Sequence, residues 1–293
     1  MEHAGWNSHL EVGPLEIGRQ FPPGGAYVRE AAGRRAELVV APESVLDGYV
    51  FNADPTSKVE DMLEIAQTVP NGAYIQRAGA LCRELGIYLI FGFLERLVDE
   101  LFNACVMLDP HGEVIAHYRK ITTAGEYAIA PGRDLQPFDT PLGRLGFLLC
   151  SDRTVDNCSV LGVQGAQVIF IPMDGSGGPE NTEKMRWRAR DNQCWIVIAN
   201  TWSAVIISPS GESHLEKYET ECVSVQYMHL PKVDKNQGRS RFVSRRADLY
   251  GPLVEPREPD AYYDEQGGLT PAGEKNRQRM RKRAQEKDED DNN

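Results

Sequence analysis

Short apolar runs rich in Val, Ile, Leu and Phe recur along this chain, and most are separated by segments of helical spacing. Residues 37–41, 87–93, 145–149, 168–172 and 194–200 read as strands with little polar content, the pattern of strands covered on both faces. Helical spacing fills 26–35, 58–69, 73–85, 154–162 and 180–192. A few strands pair directly: 102–108 and 114–118 flank Asp109-Pro110-His111-Gly112 as a hairpin, and strands are also expected at 204–209 and 222–230. This alternation argues a mixed-sheet α/β domain.

The chain has 293 residues, 41% of them hydrophobic, enough for one large core or two modest domains. Its formal net charge of −11 is the wrong sign for a general nucleic-acid binder. The six cysteines form no CxxC pair and no Cys/His zinc spacing, so reduced, mostly buried thiols are expected. The first twenty residues lack a signal-peptide pattern, and no apolar stretch approaches the ~20 residues of a membrane helix. A soluble, cytoplasmic protein is expected, with neither nucleic acid nor membrane as partner. Residues 1–25 read as an irregular N-terminal segment, 26–255 as the folded domain and 256–293 as a charged, disordered or solvated helical tail.

Chemistry-bearing residues stand at strand ends, where open α/β sheets place their sites. Cys150 ends the run 145–149 and turns at once into Ser151-Asp152-Arg153. Glu43 follows the run 37–41, and Lys120 follows 114–118. Taken singly, each has a bland reading: an inert core thiol, a cap and a solvated cation. A carboxylate after an apolar strand has its pKa pushed upward, which suits a general base. An ammonium beside it can stabilise a thiolate and an oxyanion. The helix after Cys150 is expected to aim its positive end at the sulfur. The histidines, His117 included, lack the setting of a catalytic base, which leaves a Cys–His dyad open with little support.

Together the motifs resemble those of the nitrilase superfamily of carbon–nitrogen hydrolases. The order Glu43, Lys120, Cys150 matches. So do residues 38–49 (LVVAPESVLDGY), 117–120 (HYRK), Gly125-Glu126 with Pro131-Gly132, and 143–153 (GRLGFLLCSDR). Residues 163–168, 188–200, 208–212 and 245–250 match later segments, so the resemblance spans roughly 26–255.

It implies a four-layer α-β-β-α sandwich, dimerised or further oligomerised, and no metal or organic cofactor. It implies Cys150 as nucleophile, Glu43 as base, and Lys120 with the Ser151 N–H as oxyanion partners. Glu126 is implied to position substrate or orient Lys120. The Cys-x-Asp-Arg sequence is similar to the amidase and N-carbamoyl-amino-acid hydrolase branch, with Arg153 a candidate for holding a substrate carboxylate. Pairing of Arg153 with an internal acid such as Asp152 or Asp156 is the alternative, and Thr154 stands where a second basic residue is common. The usual apolar first strand ending in Gln is not visible in residues 1–20, so the sheet is expected to lack it, and the chain between 200 and 208 is short. These departures leave open a degenerate member that binds a small molecule without turnover.

Overall fold

The computed structural model describes residues 2–7, 25–50, 58–175, 177–201, 203–219, 222–228, 245–254, 261–264 and 266–291. They build two six-stranded sheets packed face to face, each covered outside by helices. The strands are β1 (Glu2–Asn7), β2 (Leu38–Val40), β3 (Tyr88–Leu97), β4 (Glu100–Leu108), β5 (Val114–Arg119), β6 (Phe138–Thr140), β7 (Gly143–Phe147), β8 (Val168–Met173), β9 (Trp195–Asn200), β10 (Ser203–Ile207), β11 (Ser213–Tyr218) and β12 (Cys222–Tyr227). One sheet runs β12-β1-β2-β3-β4-β5 and the other β11-β10-β9-β8-β7-β6. This is the four-layer α-β-β-α sandwich.

The side-chain period of two sorts each central strand between two cores. Leu38 and Val40 face the space between the sheets, with Ile90, Cys105 and Met107 beside them. Val39, Leu89, Phe91 and Phe93 face the outer layer formed by α1 (Ala26–Gly33) and α3 (Ala73–Leu85). On the other sheet, Phe147, Phe170 and Val197 join Cys158 and Leu161 of α4 (Asn157–Val163) and Met185 and Ala189 of α5 (Pro179–Asn192) in one cluster. β2–β3, β7–β8 and β8–β9 are parallel pairs, so the carboxyl ends of β2, β7 and β8 each open onto a crossover.

Two expectations are corrected. The first strand is present: β1 lies between β12 and β2, parallel to β2 with His3 opposite Leu38. Its sequence EHAGWN is not an apolar run, so hydropathy gives no sign of it. The C-terminal segment takes the helical form of the two expected, as α6 (Pro271–Asp291), but its first turns rest on the loop after β5 through Asn276 and Arg277 instead of standing in solvent. Its charge density hides this, because the contacts are made by polar side chains to backbone. Elsewhere α2 (Val59–Ile65) is shorter than expected: Ala66 is extended, and Gln67 bridges to Glu95 instead.

Gly92 shows how tightly β3 approaches the segment after β2. A Cβ there would lie 2.7 Å from Glu43 Cα and 2.8 Å from Ser44 N. Gly92 donates to Pro42 O and accepts from Val45 N, both at 3.1 Å. Gly92→Ala therefore pushes the Glu43 backbone away. The expected outcome is a loss of about 1–3 kcal/mol, read as a fall of several degrees in Tm, together with loss of whatever activity needs Glu43. An unchanged Tm and activity would show that the segment can give way.

Candidate active site

Glu43, Lys120 and Cys150 converge where the two sheets meet. Glu43 follows β2 on a turn whose Ser44 has φ 51°, fixed to β3 as described above. Lys120 follows β5, its backbone N–H donating 2.8 Å to Asn103 O and its carbonyl accepting 2.7 Å from Gly132 N. Lys120 Nζ donates 2.9 Å to Glu43 Oε1 and also reaches Glu126 Oε1. All three side chains are buried: Lys120 is 1% exposed, Glu43 2% and Glu126 4%.

Cys150 follows β7 on a 3-10 turn, Cys150–Thr154, with φ 41°. A non-glycine residue in that left-handed region is strained, as at strand-to-turn nucleophile positions in α/β enzymes. Its Sγ lies 3.4 Å from Asp174 O. The N–H of the same Asp174 donates 3.0 Å to Glu43 Oε2. One residue at the end of β8 thus ties the carboxylate and the thiol together.

The elbow is anchored from below by Asp152. Its carboxylate is fully buried and accepts from Tyr118 Oη (2.7 Å), Thr122 N (2.8 Å) and Leu149 N (3.1 Å). Ser151 Oγ donates 2.9 Å to Thr122 O, so the loop after Lys120 is clamped to the turn that carries the thiol. Arg153 Nη1 donates 2.7 Å to Cys150 O and lies 3.7 Å from Sγ, while its Nε donates 2.6 Å to Asn181 Oδ1.

The electrostatics follow from burial. Loss of water pushes Glu43 up to about 7, against the pull of Lys120 and with the push of Glu126. Burial alone lowers Lys120, but Glu126 and Glu43 outweigh it and hold the ammonium well above its usual value. Enclosure pushes the Cys150 thiol up to about 12; Glu43 adds to this, and Lys120 and Arg153 oppose it. The expected helix dipole does not aim at the sulfur: α4 starts only at Asn157, after the 3-10 turn has ended. The cations beside the thiol are side chains.

Four participants escaped the sequence reading. Asn103, fully buried on β4, donates 2.7 Å to Glu43 Oε1 and 3.1 Å to Glu126 Oε1. The signal was available, because an amide stands inside the apolar run Glu100–Leu108. Tyr49 Oη lies 3.4 Å from Glu126 Oε1, in the segment already matched by motif. Asp174 acts here through its backbone, which no side chain advertises, and Asn181 holds Arg153 from α5. His117 pairs instead with Glu95 at 2.8 Å, beside Arg119. The short stretch after β9 braces the site: Asn200 Nδ2 donates 3.1 Å to Gly175 O, Ser203 Oγ 3.1 Å to Gly177 O, and Thr201 Oγ1 reaches Asp174 Oδ1.

The sequence profile of the carbon–nitrogen hydrolase family matches residues 17–225. The chain belongs to the carbon–nitrogen hydrolase family. It is 28% identical over 262 residues to an omega-amidase of Homo sapiens, covering 80% of this chain and 91% of that one. It is 30% identical over 260 residues to a nitrilase of Pyrococcus abyssi, covering 83% and 95%. Among solved structures, a carbon–nitrogen hydrolase from Helicobacter pylori superposes with a TM-score of 0.72 at 16% identity, over 87% of this chain and 98% of that one. A variant of the amidase from Nesterenkonia sp. AN1, bearing the acetamide moiety of fluoroacetamide on its active-site cysteine, superposes with a TM-score of 0.69 at 20% identity, over 85% and 95%.

For a family member with this electrostatic arrangement, thiol reactivity should follow Glu43. As pH falls through about 7, Glu43 takes a proton and can no longer accept one from Cys150. Alkylation of Cys150 by iodoacetamide, followed by mass spectrometry, should rise with pH through about 7. A rise centred near pH ~8.5, the ordinary thiol value, would detach the thiol from the carboxylate.

Proposed function

We propose that this carbon–nitrogen hydrolase cleaves a small amide through a thioester on Cys150. The observation that carries the reading is the Asp174 bridge: Glu43 Oε2 on its N–H and the Cys150 thiol on its carbonyl. With the thiol near 12 and the carboxylate near 7, a standing thiolate is scarce. The proton therefore passes to Glu43 as Sγ bonds to the substrate carbon. The carbonyl oxygen becomes an oxyanion held by the Lys120 ammonium and the Ser151 N–H. Glu43 then gives its proton to the departing nitrogen, and the carbon–nitrogen bond breaks to leave the thioester. Water attacks that carbonyl, again losing a proton to Glu43, and the released sulfur recovers the proton as the acid leaves. Lys120 stays charged throughout, as its two carboxylate partners require.

Glu126 Oε2 is buried with no hydrogen-bond partner among the described residues, which supports a role in accepting the substrate N–H. Arg153 divides the substrate readings. Its bonds to Cys150 O and Asn181 support a brace for the elbow and a simple amide substrate. Its 3.7 Å approach to Sγ supports a second reading, an N-carbamoyl amino acid whose carboxylate it holds. The homodimer implied by the resemblance fits the exposed Val160 and Val163 of α4 and Trp187 of α5, which form apolar outer surface on neighbouring helices.

Ammonia release from a panel of amides and N-carbamoyl amino acids tests the reading. Wild type should turn over simple amides with a mass adduct on Cys150, and Cys150→Ala should fall by at least 10³-fold. Exclusive turnover of carbamoyl substrates, lost in Arg153→Ala, would favour the second reading. No turnover and no adduct across the panel would leave a binding protein. Trp187→Glu should shift sedimentation toward a monomer; an unchanged dimer would place the interface elsewhere.

A further inference from the structure

The loop between β5 and β6 carries Glu126, and it is held from two sides. From the elbow side, Thr122 N and O bond Asp152 and Ser151. From the other side, the contacts come from the far end of the chain. The Tyr263 hydroxyl oxygen accepts from two successive backbone N–H groups, Thr123 and Ala124, the latter at 2.9 Å. Asn276 Nδ2 donates 3.0 Å to Ala124 O, and Arg277 Nη2 donates 2.6 Å to Ile129 O. The Arg281 guanidinium stacks 3.4 Å above the Tyr127 ring centre. Inside the loop, Glu126 N donates 2.9 Å to Thr123 O, so the residue gripped by Tyr263 also sets the Glu126 backbone.

These contacts bracket Glu126 on both sides in sequence. Thr123 and Ala124 are buried, so their N–H groups have little water to turn to if the hydroxyl is lost. The C-terminal segment is itself built to present these groups: Thr270 Oγ1 accepts from Gly273 N at the start of α6 and donates to Ala261 O, joining helix and preceding segment. Cation stacking and hydrogen bonds to backbone carbonyls tolerate a highly polar helix, so a charged sequence can still dock with register.

We propose that the segment from Tyr263 through Arg281 is a strap that positions Glu126 in the active site, with Tyr263 and Asn276 as its positioning residues. This rests on the role given to Glu126 above. Loss of the Tyr263 hydroxyl strands two N–H groups, and the loop shifts to satisfy them. The Glu126 carboxylate then leaves the geometry in which one oxygen meets Lys120 and the other the substrate. Misplacement of this kind lowers turnover more than binding.

The test is steady-state kinetics in the full chain with Tyr263→Phe, Asn276→Ala and Gln278→Ala, each also made with Glu126→Gln. Tyr263→Phe should lower kcat about tenfold with little change in KM, and Asn276→Ala, which removes one bond to the loop along with those from Tyr262 and Arg279, several-fold. Gln278 is on the exposed side of the helix, and its variant should match wild type. In the Glu126→Gln background the effect of Tyr263→Phe should shrink below about twofold, because the residues act as one unit. Equal effects in both backgrounds, or unchanged kcat in Tyr263→Phe and Asn276→Ala, would overturn the strap. If Tyr263→Phe fails to fold, Asn276→Ala and its double mutant carry the same cycle. Full activity of Glu126→Gln alone would instead remove the role given to Glu126, and the strap with it.

Discussion

The arrangement depends on one buried ammonium. Lys120 is 1% exposed and lies between the carboxylates of Glu43 and Glu126. A lone cation so enclosed would shed its proton, and a lone pair of carboxylates would keep one. Held together, the two acids keep the lysine charged, and the lysine pulls Glu43 down against its burial. Asn103 completes the balance by donating to both carboxylates without adding charge. Burying such a cluster costs more than a packed apolar core of the same volume. Its retention is therefore an argument for chemistry at this spot, and the surrounding strands supply the stability that it does not.

The backbone is arranged to sustain that cost. Three parallel strands, β2, β7 and β8, deliver Glu43, Cys150 and Asp174 from their carboxyl ends, and β5 delivers Lys120 from the edge of its sheet. Gly92 lets the Glu43 turn sit directly on β3, where any side chain would displace it. The strained Cys150 backbone is held by the carboxylate of Asp152 beneath it and by Arg153 on its own carbonyl. Each element thus fixes one atom of the site with a neighbour from another element, so the geometry does not rely on any single loop.

The layers, most of the central strands and the three candidate reacting residues were legible because they depend on apolar periodicity and on side chains with distinctive chemistry at strand ends. What was not legible depends on backbone or on weak polar contacts. β1 is a mixed strand that owes its place to pairing on both edges, with β12 and β2. The edge strand β6 is three residues long, too short for a period to register. Asp174 contributes an N–H and a carbonyl, which every residue has. The docking of the C-terminal helix was not legible because its contacts, through Asn276 and Arg277, and those of Tyr263 before it, leave no hydrophobic stripe to read.

In the proposed reaction, the balance of protons favours a coupled step over a pre-formed thiolate. A sulfur kept well above its ordinary pKa is protected from adventitious alkylation and oxidation, since the thiolate is the reactive form. A carboxylate raised to about 7 is basic enough to take the proton when an electrophile arrives, yet acidic enough to return it to a leaving nitrogen. Under the same proposal Lys120 offers positive charge where negative charge develops, so its benefit grows as the carbon–sulfur bond forms. The burial that raises the thiol pKa in the resting site also excludes the water that would weaken those interactions during the reaction.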